Sequence, residues 1–184
     1  LASTFSDLGR HGEALPLAER ALAVSESVLG PEHPDTAIRL GNLASTFSDL
    51  GRHGEALPLA ERALAVSESV LGPDHPTTAI RLSNLASTFR DLGRHAEALP
   101  LAERALAVTE SALGPEHPTT AIRLGSLAST FRGLGRHAEA LPLAERALAV
   151  TEAALGPDHP ITAIRQRNLN SIRALLEVPP NGEA

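Results

Sequence analysis

The chain contains no cysteine, methionine, tryptophan or tyrosine, and no lysine either: its 16 basic residues are all arginine. Without cysteine there are no disulfides, no thiolate zinc sites and no thiol redox chemistry. Aromatic residues make up only 2%, and every one is a phenylalanine: Phe5, Phe47, Phe89 and Phe131. An interior so poor in rings has to be filled by Leu, Ala, Val and Ile. That suits closely packed helices, because Ala and Leu have the highest helix propensities. No apolar run approaches the roughly 18 residues needed to cross a bilayer, and no signal peptide is visible. A membrane role is therefore not expected, and a cytoplasmic, reducing setting is. The missing lysine and a net charge of −6 weigh against nucleic acid, whose phosphates call for dense basic contacts. With no initiator Met and an opening inside a repeat, the chain reads as a fragment of something longer.

What is present is repetition. The string LASTF begins at Leu1, Leu43, Leu85 and Leu127, a period of 42 residues. Residues 1–42 and 43–84 differ only at Glu32/Asp74, Asp35/Thr77 and Gly41/Ser83. Internal repetition of this period marks a stacked array rather than a single globular core. The expected organisation is four units, 1–42, 43–84, 85–126 and 127–168. Residues 169–184 then form the remainder of a C-terminal capping helix and a tail.

Each unit reads as two helices. Pro34 and Pro76 suit a first helical position, where a missing N–H costs nothing. From there Ala37, Leu40, Leu43, Ala44, Phe47 and Leu50 follow the three-and-four spacing of one buried face. Gly51 supplies the positive φ that ends many helices, and Arg52-His53 forms a short turn. A second pattern, Ala56 to Leu71, predicts a helix of about 18 residues and about 27 Å. Pro58 falls at or just past its first turn. Leu-Gly-Pro-acid-His-Pro then recurs as a joint: Gly stops the long helix, the first Pro keeps it stopped, and His-Pro launches the next. The expected fold is all-α, built of antiparallel helix hairpins.

These residues carry a family resemblance. Leu-x-Asn-Leu-Ala-x-x-Phe, Gly-Arg-His-x-Glu-Ala, Glu-Arg-Ala-Leu-Ala-Val and Leu-Gly-Pro-acid-His-Pro resemble the tetratricopeptide repeat in its 42-residue, kinesin-light-chain type, over essentially the whole chain. The resemblance implies a right-handed α-solenoid, a superhelix whose first helices line a concave groove for a peptide or protein segment. It also offers an alternative, since bacterial relatives often form sensor arms beside a signalling ATPase domain. Carried over by position, the groove sites are Asn42, Ser45 and Ser48, then Asn84, Ser87 and Arg90, then Ser126, Ser129 and Arg132, then Asn168. Gly41, Ser83, Gly125 and Arg167 are expected to face the groove as well. Asn can both donate to and accept from a peptide backbone, which favours direct contact. Against it stands the absence of aromatic anchors, with Asn and Ser then being solvated positions copied by duplication.

The eight histidines fall in two series, His11, His53, His95 and His137 in the turn within a hairpin, and His33, His75, His117 and His159 in the joint. Members of one series should stand a helix pair apart, about 10 Å or more, whereas zinc wants nitrogens at about 2.0–2.1 Å. No metal and no cofactor are expected. Ser45, Asp49 and His53 imitate hydrolase chemistry on paper, but Gly51 breaks their common face, and the trio recurs at Ser87, Asp91 and His95. Active sites are single constructions, so no enzyme is read here. Charge drifts along the chain, from three arginines against six acids in residues 1–42 to five against four in residues 127–168. Gln166 and Arg173 stand where earlier units have Leu and Phe, as on a polar capping helix. A truncated first helix, Leu1–Leu8, would leave an apolar N-terminal face through which copies could self-associate.

Overall fold

A computed structural model describes residues 11–177. The expected first part-helix, Leu1–Leu8, and the tail beyond Glu177 lie outside the described residues. Every regular element among those described is an α-helix. In chain order they are α1 (His11–Leu29), α2 (Pro34–Asp49), α3 (His53–Leu71), α4 (Pro76–Asp91), α5 (His95–Leu113), α6 (Pro118–Gly133), α7 (His137–Leu155) and α8 (Pro160–Glu177). Long helices of 19 residues alternate with shorter ones, and no described helix is long and apolar enough to cross a membrane.

Glycine and proline set these limits by known local chemistry. Gly51 has φ +73° and Gly72 φ +91°, conformations that a Cβ would resist. Gly51 follows the last residue of α2 by two, and its N–H bonds to the Ser48 carbonyl at 2.9 Å. At the joint, Pro76 is the first residue of α4 and His75 is its cap, with the His75 Nδ1 accepting from the Thr77 N–H at 3.1 Å. The same bond recurs from His33, His117 and His159. Joint histidines thus do the work usually given to Ser, Asp or Asn at helix starts. The other histidine series sits differently from expectation. His11, His53, His95 and His137 are the first residues of the long helices rather than turn residues, because Gly51 and Arg52 alone suffice to reverse the chain. Pro58 is the sixth residue of α3, past the first turn, so the Gly54 carbonyl has no helical N–H to accept.

The chain divides into two compact units, Leu1–Arg94 and His95–Ala184. In the first, α1 packs on α2, α2 on α3 and α3 on α4; in the second, α5 packs on α6, α6 on α7 and α7 on α8. Each unit is cored by Leu and Ala. Leu40 and Leu82 are fully buried in one, Leu124 in the other, flanked by Ala37, Ala56, Ala79, Ala121 and Ala140. Burying one such leucine is worth about 1.5–3 kcal/mol, and the small alanines let the helices approach closely enough to enclose it. A buried threonine locks each described joint. Thr36, Thr78, Thr120 and Thr162 donate to the carbonyls of Gly30, Gly72, Gly114 and Gly156 at 2.7–2.8 Å.

Helix α8 departs from its counterparts. Where α6 buries Leu124, Ala128 and Phe131, α8 exposes Gln166, Asn170 and Arg173. Gln166 donates to Asn170 at 2.9 Å, and Arg173 pairs with Glu145 of α7 at 2.8 Å.

Candidate functional site

The shorter helices carry the residues singled out for the groove. On α2, Asn42 and Ser45 are exposed and Ser48 is half-buried; on α4, Asn84, Ser87 and Arg90 are half-buried. On α6, Ser126, Ser129 and Arg132 are half-buried, as is Asn168 on α8. Residues three apart share a helix face, so each trio forms a short polar stripe. Arg90 Nη2 donates to Ser87 Oγ at 3.0 Å along its stripe. In the second unit the side chains converge further. Ser129, Arg132 and Asn168 line one small cleft together with Gly125 and Arg165, over an apolar floor of Ala144, Ala147 and Ile172. Ser126 lies outside it.

Gly41 and Gly125, in the middle of shorter helices, do not face open space. Gly41 is buried, because the Arg81 guanidinium lies against it, and an added Cβ would collide with Arg81 Nη1. Gly125 receives Arg165 in the same way. Arg81 is only 7% exposed, and the Nε atoms of Arg81 and Arg165 are buried without a hydrogen-bond partner. Burial lowers the pKa of both guanidiniums, since desolvation opposes the charged form. Sequence reasoning overlooked these arginines. The available signal was a glycine in mid-helix, where it costs about 1 kcal/mol against alanine and where close approach of another group is the usual reason.

The histidine and acid series combine across copies. His11 Nδ1 lies 3.3 Å from Asp49, and His53 lies 3.9 Å from Asp91. Each histidine thus meets the acid of the following copy, and Asp49 is partnered by His11 rather than by His53. In the second unit Gly133 replaces that acid, and the His95 ring fills the space its side chain would take. Among the described residues no three acid or imidazole groups are placed to hold a metal ion. Short contacts elsewhere are structural: Arg52 and Arg136 each cover a phenylalanine ring, Phe47 and Phe131, at 4.6 Å, a geometry in which the cation faces the ring's negative centre.

Antiparallel hairpins of one register, joined by Gly-Pro-acid-His-Pro, define an α-solenoid of tetratricopeptide type. The tetratricopeptide repeat family model matches residues 1–69, 40–111, 82–153 and 125–169, and the chain belongs to that family. Among solved structures, a kinesin-light-chain-like protein of nearly identical TPR-like repeats from Podosopora anserina is 27% identical, with a TM-score of 0.79 over 96% of this chain and 88% of that one. BtubC (BKLC) from P. vanneervenii shares the fold at 21% identity, with a TM-score of 0.80 over 100% of this chain and 82% of that one. MamA shares it more loosely, at 14% identity and a TM-score of 0.58 over 96% and 95% of the two chains. No curated protein matches this chain. Tetratricopeptide repeats are scaffold folds that generally mediate protein–protein interaction and are typically non-catalytic.

Proposed function

We propose that this chain is a non-catalytic interaction scaffold that holds a peptide or protein segment along its shorter helices. In this reading the units 1–42, 43–84, 85–126 and 127–168 each contribute one stripe to a groove, and residues 169–184 complete the cap and tail. The observation that carries it is the cleft lined by Ser129, Arg132 and Asn168, where polar side chains from two different helices meet over an apolar floor. Asn42 and Asn84 supply amides that can hold an extended backbone from both its donors and its acceptors.

A peptide array tests this. The parent chain is compared with variants carrying Arg90→Glu and Arg132→Glu, and with one carrying Asn42, Asn84 and Asn168 all changed to Ala. Selected peptides that lose binding in these variants support the groove. Peptides that bind all variants equally defeat it. Loss of function only on deleting whole repeats would favour the alternative, a sensor arm in a larger signalling protein.

Self-association has its own observation. Val24 is 54% exposed, while its counterparts Val66, Val108 and Val150 are 2%, 7% and 3% exposed, and Val28 reaches 73%. Light scattering over a concentration series checks it, and a strict monomer at high concentration and low salt rejects it.

A further inference from the structure

Helix α1 repeats α3 residue for residue, yet the two meet different surroundings. α3 packs on both α2 and α4, whereas among the described residues α1 packs on α2 alone. Since α4 follows α3 as α2 follows α1, the neighbour that α1 lacks is a helix in the place α2 takes against α3. The side chains show the difference. Val66 of α3 is 2% exposed and Val24 of α1 is 54% exposed. Ala63 is buried and Ala21 half-buried, and Val28 is exposed as well. Ala21, Val24 and Val28 follow the three-and-four spacing of one helix face, so they form a single apolar stripe.

We propose that this stripe on α1 is a docking site for one amphipathic helix of a partner chain, built on the pattern of α2. The template for the occupant lies inside the chain, because the same stripe on α3 already has one. There α2 buries Ala37, Leu40, Leu43, Ala44 and Phe47, and hairpin packing sets its early residues against the late residues of α3. The partner helix therefore carries Ala-x-x-Leu-x-x-Leu-Ala on its docking face. An apolar helix face laid on an apolar strip is a recurrent mode of recognition. α1 is already held by α2, so only the incoming helix has to be ordered, which limits the cost of association. α8 carries the opposite pattern. It opens like α2, with Thr-Ala-Ile-Arg, but has Gln166 and Asn170 where α2 has Leu40 and Ala44. The proposal rests on the exposed face behind the self-association reading, and not on the groove. Copies that meet at that face bring no free helix of the α2 kind, so their association is the weaker event.

The whole chain, kept dilute enough to be monomeric, is titrated with a peptide of residues 33–49, which brings its own His33 cap, and with one of residues 159–175. Backbone amide resonances are followed. Saturable shifts centred on residues 21–29 are expected with the first peptide, and far weaker ones with the second. A Leu40→Gln peptide should bind about tenfold or more weakly, the worth of one buried leucine. Val24→Asp in the chain should weaken binding comparably and melt with the parent, because Val24 already meets water. Ile122→Asp, at an apolar residue exposed elsewhere, should leave binding unchanged. No saturable shift, equal binding of the second peptide, or equal weakening by Ile122→Asp overturns the proposal. Shifts as large at residues 63–71 also overturn it, since the peptide would then be displacing α2 rather than covering α1. Light scattering at high concentration separates the two occupants. Association that Val24→Asp abolishes but the peptide leaves intact gives the face to a second copy and overturns the proposal. A chain monomeric at every concentration that still binds the peptide removes self-association and supports the docking site.

Discussion

A single hydroxyl holds each joint closed. Thr78 is fully buried, and its Oγ1 donates to the Gly72 carbonyl at 2.8 Å. That carbonyl belongs to the glycine that ends α3, so the bond ties the end of one helix to the start of the next. Replacing Thr78 with Val keeps the shape and leaves the carbonyl without this donor. The expected loss is about 1–3 kcal/mol, read by urea denaturation, whereas Thr77→Val should cost nearly nothing. A second expectation concerns charge. The hydrogen bond from Arg52 holds the Glu55 carboxyl below the ordinary range, and Arg136 does the same to Glu139. A depressed carboxyl contributes above its unfolded pKa, and the contribution is lost as pH falls through the folded value. Carbon-detected titration should therefore find Glu55 ionised to lower pH than in the Arg52→Gln variant. Both pairs are fully exposed, so the effect belongs to titration rather than to stability.

At the scale of helices, the joint histidines act as caps. His75→Ala removes the acceptor for the Thr77 N–H and should destabilise the first unit by about 1 kcal/mol. His75→Asn should recover most of it, since a carboxamide oxygen can serve the same N–H; thermal melts of the two variants make the comparison. Helix limits were legible in the sequence for a local reason. Gly51, Gly72, Pro73 and Pro76 act on their own backbone, so their effect does not wait on the rest of the fold. The polar stripes were legible as positions, because three-residue spacing alone puts Asn42, Ser45 and Ser48 on one face. The seating of Arg81 on Gly41 was not. It depends on how closely α2 and α4 approach and on the path of a long flexible side chain, neither of which is written in the residues next to Arg81. The pairing of His11 with Asp49 escaped for the same reason, since the partners sit in different copies and within one copy the nearer histidine is His53.

For the whole chain, the decisive contrast is between α6 and α8, which occupy the same place in successive copies. Leu124, Ala128 and Phe131 on α6 are buried, while Gln166, Asn170 and Arg173 on α8 meet water. Changing these three to Leu, Ala and Phe would recreate the buried pattern with nothing among the described residues to cover it. Such a variant should associate in a concentration-dependent way, measured by size exclusion with light scattering, while the parent's C-terminal face stays inert. The exchange of Asp91 for Gly133 also distinguishes these copies, and it leaves the second unit, among the described residues, without the histidine–acid contact of the first.

Helices α1 and α3 have the same 19 residues, HGEALPLAERALAVSESVL. During folding, α2 meets two candidates for each of its faces that differ only in the length of chain leading to them. No side chain can tell the right neighbour from one 42 residues away, and none can tell it from the same helix in another molecule. Mixing two isotopically labelled batches, unfolding them together and refolding at high concentration should therefore yield interlaced dimers, in which the hairpin of one chain completes the stack of the other.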